Sequence, residues 1–339
     1  METVKLATKL ANKVNEIDFS GVVHVVNTTG IIHSSAHGFS NRAESIPNKM
    51  NTRFGIASGC KLFTAIGICQ LVESGKLSFQ SKLCSLLDYS FPHFDKEVTI
   101  HHLLTHTSGI PDYFDEDVMD DFEELWVQNP MYRMRELANF LPMFQNDNMK
   151  CKPGEKFHYN NAGFILLGLI IEKVAEVTFT DYVEEHIFGP SKMTESGYFS
   201  FDRLPGRTAL GYIDYQDGSW KTNSYSIPIK GGADGGAYVT AGDMEKLWRA
   251  LFNGKLMSKE MVANMLTPKI QSENEKDWYG YGIWIEKESD KIVKYHVMGY
   301  DPGVSFASGY YPASETIVVI PSNKESGPHK LMYLIEAFI

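Results

Sequence analysis

The sequence predicts an α+β fold: an antiparallel sheet built from both chain ends and flanked by helices, with an all-α lobe inserted between its halves. Three observations lead there. Short β-rich runs stand near both termini, the stretch between them switches to helical periodicity, and no repeat or low-complexity linker divides the chain. The expected organisation is one domain of 339 residues, with an α/β lobe from 1–57 and 200–339 and a helical lobe from 58–199.

In chain order, Leu6, Leu10, Val14 and Ile17 share one face of the N-terminal segment and Lys5, Lys9 and Lys13 another, an amphipathic helix rather than the apolar core of an export signal. Gly21–Val26 and Gly30–His33, joined around Asn27-Thr28-Thr29-Gly30, make a hairpin. Helical patterns run from about Ser58 to Phe188, including the nearly all-apolar Ala162–Val174, which has to be buried on every side. Thr240, with Asp243 three residues on, reads as a helix start and Asn253-Gly254 as its stop. Strand signals return at Lys291–Met298, Val304–Tyr311 and Thr316–Ile320, before a last helix near His329–Phe338.

A composition 43% hydrophobic and 22% charged suits a soluble globular protein, and a net charge of -10 without a Lys/Arg run argues against nucleic acid or an anionic membrane as partner. Small molecules or short peptides are the expected ligands. The longest apolar run, Phe164–Ile171, is too short to span a bilayer, and a cytoplasmic location is expected. Cys60, Cys69, Cys84 and Cys151 form no CxxC pair, so neither a zinc nor a redox site is expected, and no cofactor.

Ser58-Gly59-Cys60-Lys61 opens a run with Leu62, Ala65, Ile66, Cys69 and Val72 at helical spacing, closed by Gly75. Ser58 then lies in the first turn of a buried helix, where the helix dipole favours developing negative charge, with Lys61 on the same face. A serine hydroxyl needs an adjacent base, and a partly desolvated lysine can be one. By itself the SxxK spacing is common. In the second element, Lys152–Asn161, Tyr159 and Asn161 can both point into a cleft, a phenol to relay protons and a carboxamide to orient a substrate amide or ester. Read alone, they are more simply a packed tyrosine and a helix-capping asparagine. The third is a strand, His296–Gly303, running into Gly299, where backbone N–H groups can approach a ligand carbonyl and build an oxyanion hole.

In this order the three elements resemble the serine β-lactamase and penicillin-binding-protein superfamily, in its class C branch. Thr99–Tyr113, Pro153-Gly154-Glu155, Gly235–Thr240 and Tyr279–Gly282 agree with that branch, so the resemblance covers almost the whole chain. It implies a β-lactamase/transpeptidase-like fold with the active site between the lobes. By the same resemblance Ser58 is the nucleophile, Lys61 and Tyr159 shuttle its proton, Asn161 holds substrate, and the backbone N–H groups of Ser58 and Tyr300 form the oxyanion hole.

One departure matters. Class C β-lactamases carry Lys-Thr-Gly where this chain has Val297-Met298-Gly299, so the cation and hydroxyl that hold a β-lactam or D-alanine carboxylate are missing. Esterase and aminopeptidase relatives often have His-x-Gly, but His296 is one residue farther from the glycine. It reaches the cleft as a substrate ligand only through a bulge or shifted register, because a one-residue offset sends a strand side chain to the opposite face.

His102 and His106 are spaced to share a helical face, beside His101, yet no HExxH glutamate accompanies them, so a structural role is expected rather than metal binding. Gly231-Gly232 and Gly235-Gly236 do not fit a dinucleotide fingerprint. The acidic stretch between Asp115 and Glu124 is expected near the cleft rim, where it disfavours anionic substrates. The function these features imply is a serine hydrolase working through an acyl-enzyme on a small ester, amide or D-amino-acid peptide. The alternatives are a β-lactamase or D-Ala-D-Ala carboxypeptidase in which another side chain replaces the lost lysine, and a non-catalytic sensor acylated without turnover.

Overall fold

The structure, a computed structural model, describes residues 2–272, 274 and 276–339. Helix α1 (Glu2–Glu16) buries the stripe Leu6, Leu10 and Val14. It leads into the hairpin β1 (Gly21–Asn27) and β2 (Gly30–His37). The longer helices that follow are α2 (Lys61–Glu73), α3 (Asn161–Ala175) and α4 (Ala241–Phe252). The C-terminal part supplies β3 (Ile270–Gln271), β4 (Asp277–Tyr279), β5 (Trp284–Glu288), β6 (Lys291–Asp301), β7 (Val304–Tyr311), β8 (Thr316–Ser322) and α5 (Pro328–Glu336).

These strands form one antiparallel sheet in the order β2-β1-β8-β7-β6-β5-β4-β3. Gly21 lies opposite Ser322 and Val26 opposite Ile317, so the two chain ends meet inside the sheet. The valines of β1 explain why. Val23 and Val25 pack into a core with Leu6, Leu10, Leu331 and Ile335 from α1 and α5, whereas Val22 and Val26 join the larger core of α2, α3 and α4 on the other face. A strand that is apolar on both faces is stable only inside a sheet covered on both sides, and each buried valine adds about 1.5–3 kcal/mol.

Helix α3 is buried continuously from Asn161 to Ile171, as an all-apolar helix must be. Its N-cap is Asn160, whose side chain accepts the Gly163 N–H at 2.7 Å. Thr240 caps α4 by accepting the Asp243 N–H at 3.1 Å. Two features depart from the pattern read in the sequence. Strands β3 to β5 extend the sheet beyond β6, and between Thr105 and Asn160 the described chain forms only short helical turns joined by loops. Among the described residues, no helix is long and apolar enough to cross a membrane.

Candidate active site

Phe54-Gly55 pairs with Tyr238-Val239, and the Ile56 N–H donates to the Ala237 carbonyl at 3.0 Å. Immediately afterwards Ala57 adopts a left-handed backbone (φ 45°), a strained conformation for a residue with a Cβ. A 3-10 turn over Ala57–Cys60 then feeds α2, so Ser58 lies in the turn before the helix and Lys61 is the first residue of the helix proper. Ser58 lines a cleft of about 550 Å³ together with Tyr113, Asn161, Asp234, Tyr300 and Asp301.

Lys61 is 2% exposed, yet its amine has three polar partners: Ser58 Oγ at 2.9 Å, Asn161 Oδ1 at 2.8 Å and the Asp234 carbonyl at 2.7 Å. The last two can only accept. They take two N–H bonds and leave the third tetrahedral position of the nitrogen facing the serine. The rings of Tyr159 and Phe164 lie 5.0 Å and 5.6 Å from the amine.

Asn161 is aimed by Asp112, which sequence reading did not single out. Its carboxyl accepts the Asn161 N–H at 2.6 Å and the Ala162 N–H at 2.9 Å, and so occupies the N-terminus of α3. Burial pushes Asp112 up to about 7 despite those hydrogen bonds and the charge of Lys61. Tyr113, next along, donates to the carboxyl of Asp234, whose own carbonyl holds Lys61. Neighbouring residues of one loop therefore brace both acceptors of the lysine.

Tyr159 is set by ring packing. His106 lies 4.3 Å from it between centroids, and the His106 Nδ1 accepts the Asn160 N–H at 3.0 Å, which places the imidazole proton on Nε2. The backbone ties His158 N–H to His106 O and Gly154 N–H to Thr107 O join the two loops at 2.8 Å each. Burial and the charge of Glu116 raise the Tyr159 phenol well above its ordinary range, while a hydrogen bond with Ser58 acts in the opposite direction. His101 bonds to the Tyr281 hydroxyl at 3.0 Å, and His102 Nδ1 accepts the Thr99 N–H at 3.2 Å, completing a structural use for all three histidines. Cys60 points away to the Gly232 carbonyl, and burial pushes its thiol up to about 12.

Gly299 brings β6 against the serine turn. A Cβ there would overlap the Ile56 carbonyl oxygen and stand 2.9 Å from the Ser58 nitrogen, so this approach requires glycine. Tyr300 follows on the cleft wall, 52% exposed as a residue, with its ring stacked 5.5 Å from His329. The expectation that His296 reaches the cleft fails. The register of β6 with β7 is unbroken from Tyr295 to Asp301, so no bulge resets the side chains, and His296 stays on the strand face opposite to that of Gly299. It is buried beside Trp284 (centroids 6.4 Å) on the strand face that also carries Lys294, which is bonded to Glu336 of α5.

The structure thus gathers Ser58, Lys61, Tyr159, Asn161 and Gly299, leaves His296 outside, and adds Asp112, Tyr113, His106, Asp234 and Asp301. His106, Asp112 and Tyr113 lie inside the Thr99–Tyr113 stretch and Asp301 inside His296–Gly303, while Asp234 directly precedes Gly235–Thr240. A sheet from both chain ends, packed on helices, with a serine bonded to a buried lysine, defines the β-lactamase-type serine hydrolase fold. The β-lactamase family model matches residues 6–336, and the chain belongs to that family. It is 57% identical to a penicillin-binding protein from Bacillus halodurans, whose crystal structure covers 97% of this chain and 100% of that one with a TM-score of 0.94. Penicillin-binding protein 4* of Bacillus subtilis (strain 168) is 29% identical over 91% of this chain and 68% of its own length. D-amino acid amidase from Ochrobactrum anthropi SV3 shares the fold at 19% identity and a TM-score of 0.76, covering 98% of this chain and 97% of its own.

Proposed function

We propose that the protein is a serine hydrolase that forms an acyl-enzyme on Ser58 and acts on a small ester, amide or D-amino-acid peptide. The observation that carries this reading is the coordination of Lys61: two fixed acceptors and the serine hydroxyl. In its neutral form the amine gives both protons to Asn161 and Asp234 and turns its lone pair to Ser58. Lys61 then takes the Ser58 proton as the oxygen attacks the carbonyl carbon. The N–H groups of Ser58 and Tyr300 receive the oxyanion, in keeping with the glycine approach between β6 and the turn.

Tyr159 acts as the acid. Its raised phenol keeps its proton in the resting enzyme, donates it to the leaving group as the C–O or C–N bond breaks, and is reprotonated by the Lys61 ammonium. Water then attacks the ester carbonyl and gives a proton to the same pair, which returns it to Ser58 Oγ as the acyl carbon–Oγ bond breaks and the acid leaves. Asn161 directs its Nδ2 toward the Asp112 carboxyl at 3.4 Å and the Phe114 carbonyl at 3.3 Å; substrate exchanges one of these long bonds for a shorter one.

A penicillin-acylated enzyme is the second reading, favoured by the likeness to two proteins named as penicillin-binding. Against it stands Val297, which offers no cation for a carboxylate. Hydrolysis of chromogenic acyl esters and of a β-lactam panel, by wild type and Ser58→Ala, separates the two. Ester turnover lost in Ser58→Ala supports the proposal; turnover confined to carboxylate-bearing β-lactams overturns it.

A further inference from the structure

Among the described residues, the cleft that holds Ser58 is lined by seven carboxylate side chains and two lysines, with no arginine or histidine. One of the two lysines is ion-paired and the other bonds a hydroxyl. Lys221 is paired with Glu123 at 2.7 Å, and Lys230 reaches Thr180 at 3.3 Å, in the neighbourhood of Glu172 and Glu184. With seven carboxylates to two lysines, the described wall favours a cation over a carboxylate.

Asp301 stands differently from the other acids. It follows Gly299 by two residues on the same strand face, roughly 7 Å along β6 from the glycine that touches the serine turn. Asp301 lines the cleft, and its carboxyl accepts no hydrogen bond from any described residue. Asp234 and Glu116 act on it as like charges, and with burial they push it up to about 7. Glu116 and Asp234 also act on Tyr159 as negative charges, and both line the same cleft. In a cleft, a carboxyl that no protein group pairs and that stands among like charges favours a cationic over an anionic ligand. Phe114, Phe122, Phe199 and Phe201 supply apolar wall for the remainder of the molecule.

We infer that the cleft selects substrates carrying an ammonium group a few bonds from the scissile carbonyl, that Asp301 with Glu116 receives it, and that an apolar or aromatic body fills the rest. This rests on the acyl-enzyme reading of Ser58 and adds the substrate class. Carboxylate-bearing substrates meet the same wall as repulsion.

The test uses the rate at which a neutral fluorophosphonate labels Ser58, read by intact-protein mass spectrometry, so no turnover is needed. Competitors are phenylalanine amide as the cation, N-acetyl-phenylalanine amide as the neutral isostere and N-acetyl-phenylalanine as the anion, each as both enantiomers. At least one enantiomer of the amine is expected to protect Ser58 at a concentration roughly tenfold to a hundredfold below its acetylated form, the range of one charge-assisted hydrogen bond. Asp301→Asn removes most of that preference, Glu116→Gln on the exposed loop removes part of it, and 0.5 M salt weakens it in wild type, on the scale of about tenfold. Equal protection by amine and acetylated amide, or better protection by the anion, overturns the charge selection while leaving the serine reading intact. Absence of labelling at Ser58 overturns the serine reading, and this inference with it.

Discussion

Replacing Gly299 by alanine gives the sharpest structural perturbation of the site. The added Cβ overlaps the Ile56 carbonyl oxygen and stands 2.9 Å from the Ser58 nitrogen. A carbon–oxygen contact needs roughly 3.3 Å, so β6 and the serine turn have to part by on the order of 1 Å. That separation opens the space between the Ser58 and Tyr300 N–H groups, and one misplaced oxyanion donor costs about 10²–10³ in kcat. Overpacking adds about 1–3 kcal/mol of destabilisation. Gly309→Ala on the adjacent β7 is the control, since its Cβ would meet the Tyr295 carbonyl at 3.4 Å and the Lys294 side chain at 3.5 Å. Initial rates on a chromogenic ester and thermal melts are compared for both variants. Gly299→Ala is expected to melt cooperatively with kcat reduced at least about a hundredfold, and Gly309→Ala to stay within roughly threefold of wild type. A folded Gly299→Ala with near wild-type kcat refutes the oxyanion geometry.

Three further outcomes follow from the same contacts. Lys61→Met removes the base and is expected to lower kcat by about 10²–10⁴ in steady-state ester hydrolysis. Asp112→Ala leaves the Asn161 and Ala162 N–H groups without their acceptor and should cost about 1–2 kcal/mol in denaturant unfolding, together with activity through the displaced Asn161. Asp301 is raised from 3.8 to about 7, so its contribution to stability is complete below pH 3.8 and lost as pH rises through about 7. Asp301→Asn is therefore expected to raise Tm by roughly a few degrees at pH 8 and to give no gain at pH 4, as measured by calorimetry.

Much of this fold is written in residues that are close in sequence. The stripe of Leu6, Leu10 and Val14, the two-faced valines of β1 and the Thr240 cap each state a local burial or hydrogen-bonding need that the tertiary structure meets. The Ser58–Lys61 spacing is legible for the same reason, one turn apart on a continuous segment. Strands β3 to β5 are less so. They are two to five residues long, and Gly280 and Gly282 interrupt them, so no alternating run is long enough to stand out.

The supporting side chains were hidden by distance along the chain. Asp112 is 49 residues from Asn161, and Tyr113 is 121 from Asp234; nothing local to an aspartate announces that it will occupy a helix start formed later. His296 illustrates the value of strand parity: the sequence held the condition under which it would reach the cleft, and the unbroken β6–β7 register does not meet it. Asp301 lies two residues past the glycine motif, and its lack of a partner becomes visible only once the cleft wall is assembled.

Trapping the acyl-enzyme and locating it is the decisive experiment for covalent catalysis at Ser58. Quenching a slowly hydrolysed activated ester in acid within the first turnover, followed by peptide mapping, is expected to find the acyl mass on the peptide containing Ser58 and on no other. An acyl group found elsewhere, or product released with no covalent species at any time, contradicts it.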